Sequence, residues 1–379
     1  MSNASDYNIG VYYFPNYHVD PRNEKVHGEG WTEWQLVKHA TPRFPGHVQP
    51  KVPLWGHDDE ADPKAMERRI AAAADHGIDH FIFDWYYYDD GPFLQRALDE
   101  GFLRAANNDR LGFALMWANH DWTNIHPMKL GQAGQLLYPG AVTRETFDKV
   151  VDYVIETYFI HPSYKKIDGC PYFSFYELMT LMHGLGGFEA TLDALESFRA
   201  KTRAARFPGL HLNAVVWGVQ ILPNEQAITN PNELLSYLKF DSIASYVWIH
   251  NVPLPSFPTT PYDYVAEQAA NYWERARADF ELPYFPNVTM GWDASPRTVQ
   301  SDMFVNAGYT FMATLEGNTP DRFAAALRQA KRFLDEGGSE YKHFTINAWN
   351  EWTEGSYLEP DTVNGYGYLE AIRDVFSEA

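Results

Sequence analysis

The chain has 379 residues, of which 45% are hydrophobic and 16% aromatic, and its formal net charge is −20. That hydrophobic fraction suffices for a large core and excludes a disordered chain. The acidic charge repels phosphate backbones and anionic lipid, so nucleic acid and membrane surfaces are not expected partners. No run of about 18 apolar residues exists that could span a bilayer. We predict one domain over residues 1–379, because α/β barrels often reach this length as a single unit.

Apolar, aromatic-rich runs alternate with amphipathic segments along the whole chain. The runs predict strands at residues 9–14, 78–86, 111–118, 171–177, 210–217, 240–248, 285–292 and 343–349. The amphipathic segments predict helices at residues 63–76, 93–107, 144–159, 189–205, 232–238, 262–280, 320–336 and 366–377. Asp62-Pro63 and Thr319-Pro320 each predict an N-cap followed by proline in the first helical turn.

Eight strands that each precede a helix predict a single (β/α)8 TIM barrel, in the α/β class. A doubly wound open sheet is the alternative, but no Gly-x-Gly-x-x-Gly follows a strand, so no dinucleotide cofactor is expected. Residues 19–62 and 119–142 form long βα loops. In a barrel both would lie on the C-terminal face, where such enzymes build their sites.

Polar and aromatic residues gather where the predicted strands end, and in a barrel these ends share one rim. The chain has 12 Trp and 24 Tyr, whose rings suit the flat C–H faces and hydroxyl rims of sugars. For each side chain alone, core packing or a structural role is the alternative. The candidate substrate-binding residues are Tyr13, His18, Trp31, Glu33, Asp84, Trp85, Tyr87, Trp117, Asn119, Asp121, Glu177, Trp248, Trp292 and Asn350.

The strongest candidates for catalysis are Glu351 and Glu354, just after the last predicted strand. Glycosyl transfer commonly needs one carboxyl group as proton donor and another as nucleophile or base. Residues three apart on a strand face opposite ways, so the chain must turn after Glu351, and Gly355 suits such a turn. The flanking Trp349 and Trp352 would lower the local dielectric and raise the pKa of the acid that stays protonated.

Further acids at the rim, among them Asp84, Asp121, Glu177 and Asp293, would repel each other unless sugar hydroxyls or cations satisfy them. A metal site at His120 and Asp121 lacks a third spaced ligand, so no metal is expected.

Cys170 is the single cysteine, which excludes an intrachain disulfide. No signal peptide is visible and Ser2-Asn3-Ala4 resembles a tag remnant, so the compartment stays open between cytoplasm and export.

Four segments resemble WbsX-type proteins, a branch related to glycoside hydrolase family 99. They are residues 12–18 (YYFPNYH), 30–34 (GWTEW), 116–119 (MWAN) and 347–360 (NAWNEWTEGSYLEP). The resemblance implies a (β/α)8 barrel acting on an oligo- or polysaccharide with α-mannose-like or rhamnose-like residues. It also implies that Glu351 is a base that deprotonates the sugar 2-hydroxyl, giving a 1,2-anhydro sugar, and that Glu354 is the acid/base, with net retention.

The resemblance has two departures, which bear on the substrate: Thr353 stands where family 99 endomannosidases usually have histidine, and His120 where WbsX-type proteins usually have glutamate. WbsX-type proteins are also often labelled glycosyltransferases, although this sequence has no Asp-x-Asp motif and no glycine-rich phosphate loop. The leading hypothesis is a retaining glycoside hydrolase. A glycosyltransferase or transglycosylase, and a non-catalytic glycan-binding barrel, stay open, as do the sugar, the linkage, endo or exo action and the oligomeric state.

Overall fold

The computed structural model describes residues 6–217, 231–339 and 341–377, so Ser2-Asn3-Ala4 lies outside the described residues. A mainly parallel sheet forms the centre of the fold. Its strands are β1 (Asn8–Tyr13), β2 (His80–Tyr88), β3 (Gly112–Trp117), β4 (Cys170–Phe175), β5 (His211–Val215), β6 (Ser242–Ala244), β7 (Tyr284–Phe285 and Asn287–Thr289) and β8 (His343–Asn347).

The strands follow one another around a ring. Each strand from β1 to β6 pairs in parallel with the next, and β8 returns to pair with β1. β7 is divided by Pro286: its first half pairs with β6 and its second half with β8. Proline has no N–H to donate, so the ladder is interrupted there. The sheet is therefore nearly closed into a barrel, which confirms the predicted fold and not the open doubly wound alternative.

Helices fill the connections between the strands, and their apolar residues recur at helical spacing. They are α1 (Pro21–His27), α2 (Trp34–His39), α3 (Pro63–Asp75), α4 (Arg144–Val154), α5 (Leu178–Leu185), α6 (Phe188–Ala204), α7 (Pro231–Tyr237), α8 (Tyr262–Asp279), α9 (Pro320–Asp335) and α10 (Gly367–Ser377). The predicted caps are confirmed, since the Asp62 and Thr319 side chains accept from backbone N–H groups of the first turn.

Several predicted elements differ from the structure. The helix predicted at 144–159 continues beyond α4 only as a π-helical segment, Ile155–Phe159, and the strand predicted at 285–292 is the divided β7, which ends at Thr289. The helix predicted at 93–107 is only a π-helical segment, Ala97–Phe102, because Gly91–Phe93 instead pairs antiparallel with the end of β2. The strand predicted at 240–248 is only three residues long, and Trp248–His250 is a 3-10 turn. The long 19–62 loop contains the short helices α1 and α2, and α5 begins directly after β4 with Glu177 as its N-cap.

Short strands build the remaining loops. They are Gly91–Phe93, Trp122–Asn124, Gln135–Tyr138, Lys166–Ile167, Thr259–Pro261, Thr314–Glu316, Asn350–Glu351 and Ser356–Tyr357. In the described part of the chain, no helix combines the length and apolar character needed to cross a bilayer.

Candidate active site

A tight turn after β8 brings Glu351 and Glu354 to one side of the chain. The strand Asn350–Glu351 leads into a 3-10 turn, Trp352–Glu354, and then pairs antiparallel with Ser356–Tyr357. Side chains three residues apart are aligned in a 3-10 helix. Gly355 ends the turn with φ +64°, and a Cβ there would lie 2.7 Å from the Asp293 Cβ, so glycine is required by both conformation and space. The turn has the form that the sequence predicted.

One buried guanidinium joins the two glutamates. Arg297 Nη2 donates to Glu351 Oε2 over 3.1 Å, and Nη1 donates to Glu354 Oε1. The Arg297 Nε donates to Glu33 Oε1 over 2.8 Å, so a single side chain contacts three carboxylates. The Tyr309 hydroxyl adds a 2.6 Å hydrogen bond to Glu354 Oε1. The fork geometry of arginine allows this bridging, which the single ammonium of lysine could not reproduce.

Glu33 is the member of the group whose surroundings favour the ionised form. Its Oε2 accepts from Asn16 Nδ2 over 2.5 Å, and its Oε1 accepts from the Thr353 hydroxyl as well as from Arg297. Burial alone would raise the pKa of Glu33, but Arg297 and these hydrogen bonds outweigh it and lower the pKa. Glu33 and Arg297 therefore form a neutral buried pair beside the two glutamates.

The glutamate pair holds a proton more tightly than free glutamate does. Burial raises the pKa of Glu351 well above its usual value, and the nearby Glu354 adds to the rise while Arg297 opposes it. Burial also raises the pKa of Glu354, against Arg297 and the Tyr309 hydroxyl. Two close carboxylates repel each other when both are ionised, and one shared cation does not fully offset this, so the pair holds a proton to higher pH than free glutamate does.

The tryptophans of the 347–360 segment are fixed by a separate buried acid. The indole N–H groups of Trp349 and Trp352 donate to the two oxygens of Glu359, which also accepts from Arg69 Nε over 2.5 Å. Asn350 exchanges two hydrogen bonds with the Phe14 backbone. The segment is thus tied to the end of β1 and to α3, which fixes where the glutamates lie.

A cavity opens in front of the glutamates, with about 670 Å³ of empty space that includes open solvent. Its charged lining comprises Asp84, Asp121, Arg297, Glu351 and Glu354. Its aromatic lining comprises Phe14, Tyr86, Trp122, Tyr176, Tyr246, Trp292 and Tyr309. Rings beside carboxyl groups suit a ligand with apolar faces and hydroxyl edges.

Three histidines in the cavity lining are kept neutral by burial. Burial lowers the pKa of His126 to about 3 and that of His250 to about 3, and it also lowers the pKa of His120. Neutral imidazoles can donate or accept hydrogen bonds with hydroxyl groups. In the described residues, no group of three or more His, Cys, Asp or Glu side chains could hold a metal ion.

The structure divides the predicted site residues into two sets. Those that line the cavity are Asp84, Asp121, Trp292, Glu351 and Glu354. Those outside that lining, among the described residues, are Tyr13, His18, Trp31, Glu33, Trp85, Tyr87, Trp117, Asn119, Glu177, Trp248 and Asn350.

Most side chains of the second set have protein partners. Tyr13, His18 and Asn350 contact the buried carboxylate of Glu60, and Asn119 and Glu177 hydrogen-bond each other. The aromatic members pack against other parts of the protein. Trp31 stacks on His27, Trp85 on Tyr87, the Trp117 ring packs against Phe147, and the Trp248 indole donates to Asn287 O.

Sequence reasoning did not single out Arg297, Tyr309, His126 or Glu60. The sequence contained one indication of Arg297. The excess of acids at the predicted rim had to be satisfied by sugar hydroxyls or cations, and Arg297 is a cation that follows Trp292-Asp293 by four residues. Glu60 carries no such signal, because its partners are contributed by β1 and by the segment after β8, far away in the sequence.

Comparison with known proteins gives a consistent picture. The family model described as "Glycosyltransferase WbsX" matches residues 9–372. An uncharacterized protein, WxcX, of Xanthomonas campestris pv. campestris strain B100 is 26% identical over 372 residues, which cover 97% of this chain and 49% of that protein. The chain thus spans about half the length of the curated relatives it matches.

Solved structures share the barrel. The GH99 endo-alpha-mannosidase from Bacteroides thetaiotaomicron aligns with TM-score 0.58 at 14% identity, covering 99% of this chain and 97% of that one. A structure titled "Glycoside hydrolase-like protein" aligns with TM-score 0.62 at 17% identity, covering 100% and 96%. At these identities the likeness concerns the fold, that of TIM-barrel glycosidases.

Proposed function

The chain belongs to the WbsX family, and from that premise we propose that it is a retaining glycoside hydrolase that cleaves an α-linked polysaccharide of mannose-like or rhamnose-like residues. The observation that carries the proposal is the pair of buried carboxyls, Glu351 and Glu354, which share Arg297 at the wall of a ring-lined cavity. Such a pair supplies both a proton donor and a base within one site.

The proposed reaction follows the chemistry that the family 99 resemblance implies. Glu351 takes the proton of the sugar 2-hydroxyl, the 2-oxygen attacks the anomeric carbon, and the bond to the leaving oxygen breaks. Glu354 gives its proton to that leaving oxygen. Water then attacks the anomeric carbon and the bond between that carbon and the 2-oxygen breaks. The water yields a proton to Glu354, and the freed 2-oxygen takes its proton back from Glu351. Two inversions at one carbon give net retention.

The raised pKa values of both glutamates support a role in proton transfer. Solvated surface acids would not show them, because burial and a like charge are what raise a carboxyl pKa. Arg297 also supports the reaction. Its positive charge lowers the free energy needed to ionise the glutamate that acts as base.

A panel digestion tests the proposal. The protein is incubated with α-mannans and with rhamnose-containing O-antigen polysaccharides, and released sugars are separated and identified. We expect product from the wild type, and loss of nearly all turnover in Glu354→Gln and Glu351→Gln with glycan binding retained. Glu145→Gln is the matched control, because the Glu145 side chain is 80% exposed on α4. Wild-type rates in Glu354→Gln would refute the assignment of that residue.

The description of the family favours a second candidate, a glycosyltransferase or transglycosylase in polysaccharide assembly. The same cavity acids could serve transfer if an acceptor hydroxyl replaced water. Incubation with nucleotide sugars and an acceptor oligosaccharide separates the two: sugar transfer without hydrolysis of the panel supports the second candidate. Binding without any product supports a glycan-binding barrel instead.

A further inference from the structure

Asp84 is a buried acid of the cavity that the proposed reaction leaves without a role. It lies in β2, is 2% exposed, and its Oδ2 accepts from the Tyr246 hydroxyl over 2.9 Å. Its Oδ1 has no hydrogen-bond partner among the described residues. Arg297 forms its ion pairs with other carboxylates, Glu33, Glu351 and Glu354. A buried carboxylate with one donor and no cation would be costly.

The Tyr246 hydroxyl contacts two carboxyl groups at once. Its oxygen lies 2.9 Å from Asp84 Oδ2 and 3.2 Å from Glu351 Oε1. Burial raises the pKa of Tyr246 well above its usual value, so the phenol keeps its proton. One hydroxyl has one proton to donate and lone pairs to accept. The phenol proton can be shared weakly between the two carboxylates, but two full hydrogen bonds require that one carboxyl is protonated and donates to the phenol oxygen.

The surroundings decide which carboxyl carries that proton. Burial and Glu354 raise the pKa of Glu351, but its Oε2 accepts from the Arg297 guanidinium, which opposes that rise. Asp84 is faced by phenols and other acids: Tyr12, Tyr86, Tyr246, Glu351 and Glu354. Burial raises the pKa of Asp84 well above its usual value and Glu354 adds to the rise, against the hydrogen bond from Tyr246.

Asp293, an aspartate at the same rim, has surroundings opposite to those of Asp84. It is also buried, but its carboxylate accepts from His47 Nε2 over 2.8 Å, Gln49 Nε2 over 2.7 Å and the Ser295 N–H over 3.1 Å. Burial would raise the pKa of Asp293, but these donors lower it. Two aspartates of similar burial thus have opposite environments, one suited to an anion and one to a neutral acid.

We propose that Asp84 is a neutral carboxylic acid in the resting site and donates to the Tyr246 hydroxyl, which in turn donates to an ionised Glu351. Asp84 is then a positioning residue that acts through Tyr246. It orients the carboxylate of Glu351 and leaves it free to take a proton. The part of this that concerns Glu351 as base rests on the proposed function, whereas the protonation of Asp84 does not.

Residue-specific NMR tests the protonation without any substrate. The protein is labelled with 13C at the aspartate side-chain carboxyl only, so that glutamate carboxyls give no signal. Spectra are then recorded over a range of pH values. We expect one aspartate signal to keep the chemical shift of a protonated carboxyl at pH 7, to be absent in Asp84→Asn, and to remain in Asp293→Asn. If no signal has that shift, or if it survives in Asp84→Asn, the proposal is overturned.

Activity on the digestion panel tests the positioning role. The amide of Asp84→Asn can still donate to Tyr246, so we expect a smaller loss of turnover in this variant than in Asp84→Ala. Asp84→Ala removes the donor and should lower kcat by about 100-fold, as loss of one preorganised donor does. Equal losses in both variants would overturn the donor role. If the wild type releases no product, the proposed function fails, while the NMR signal still decides the state of Asp84.

Discussion

Replacing Arg297 by glutamine should make the stability of the protein fall more steeply with rising pH than that of the wild type. The change removes the cation that contacts Glu33, Glu351 and Glu354, and among the described residues no other Lys or Arg pairs with these buried carboxyls. Removing one partner of a buried ion pair typically costs about 3–5 kcal/mol. The carboxyls can limit that cost by taking up protons. This uptake determines whether the stability of the variant rises or falls with pH.

The size of the effect follows from the distances. Unit charges 3.1 Å apart attract by about 5 kcal/mol at an effective dielectric constant of about 20, as an upper figure for one pair. A carboxyl with an ordinary pKa of 4.5 that must stay protonated in the folded state costs about 1.4 kcal/mol per pH unit above that value. Each such carboxyl therefore costs about 3 kcal/mol at pH 7 but below about 1 kcal/mol at pH 5.

Urea unfolding of Arg297→Gln and the wild type at pH 5 and pH 7 measures this difference. A raised folded-state pKa means that the folded protein holds a proton which the unfolded chain has released, so stability falls as pH rises above 4.5. We expect the deficit of the variant to grow from pH 5 to pH 7. Arg297→Lys keeps a charge but not the fork and should show a smaller deficit. A deficit that is equal at both pH values would refute the reasoning.

Two further predictions concern stability. Gly355→Ala should lower the free energy of unfolding by about 2–4 kcal/mol, because its Cβ would meet Asp293 at positive φ. Gly365→Ala, also at positive φ but with nothing within 4 Å, should cost only about 1 kcal/mol, and equal losses in urea unfolding would contradict the steric argument. Burial lowers the pKa of His211 to about 4, so the unfolded chain takes up a proton from about pH 6.5 downward that folded His211 refuses. Stability should fall from pH 6.5 to pH 4, and His211→Gln should flatten that slope; an unchanged slope would exclude His211 as its source.

The fold was largely predictable because its signals are local. Buried parallel strands give continuous apolar runs, and proline after a capping side chain marks the start of α3 and α9. Where the prediction was wrong, a tertiary contact decided. The predicted helix does not begin at residue 93, because residues 91–93 pair with the end of β2, and the helical segment begins at Ala97.

The candidate site was predictable only in part. The spacing of Glu351 and Glu354 around a turn is a property of a short segment, so the sequence could indicate it. The sequence could not indicate which other acids join the two glutamates, because Glu33 and Glu60 reach their partners across more than 250 residues of sequence. Of the aromatic residues at the strand ends, a tryptophan that lines a cavity and one that packs in the core have the same local pattern.

The sequence by itself determined the order of strands and helices, the turn that carries the two glutamates and the family to which the chain belongs. These follow from hydrophobic periodicity, capping residues and motif spacing, which act between near neighbours. Only the tertiary structure decided that Arg297 joins three acids, that Asp84 has no cation partner in the described part of the chain and that Asp293 accepts from His47, Gln49 and Ser295. Protonation depends on burial and on charges within a few ångströms, and those distances are set by the closing of the barrel and not by the order of residues.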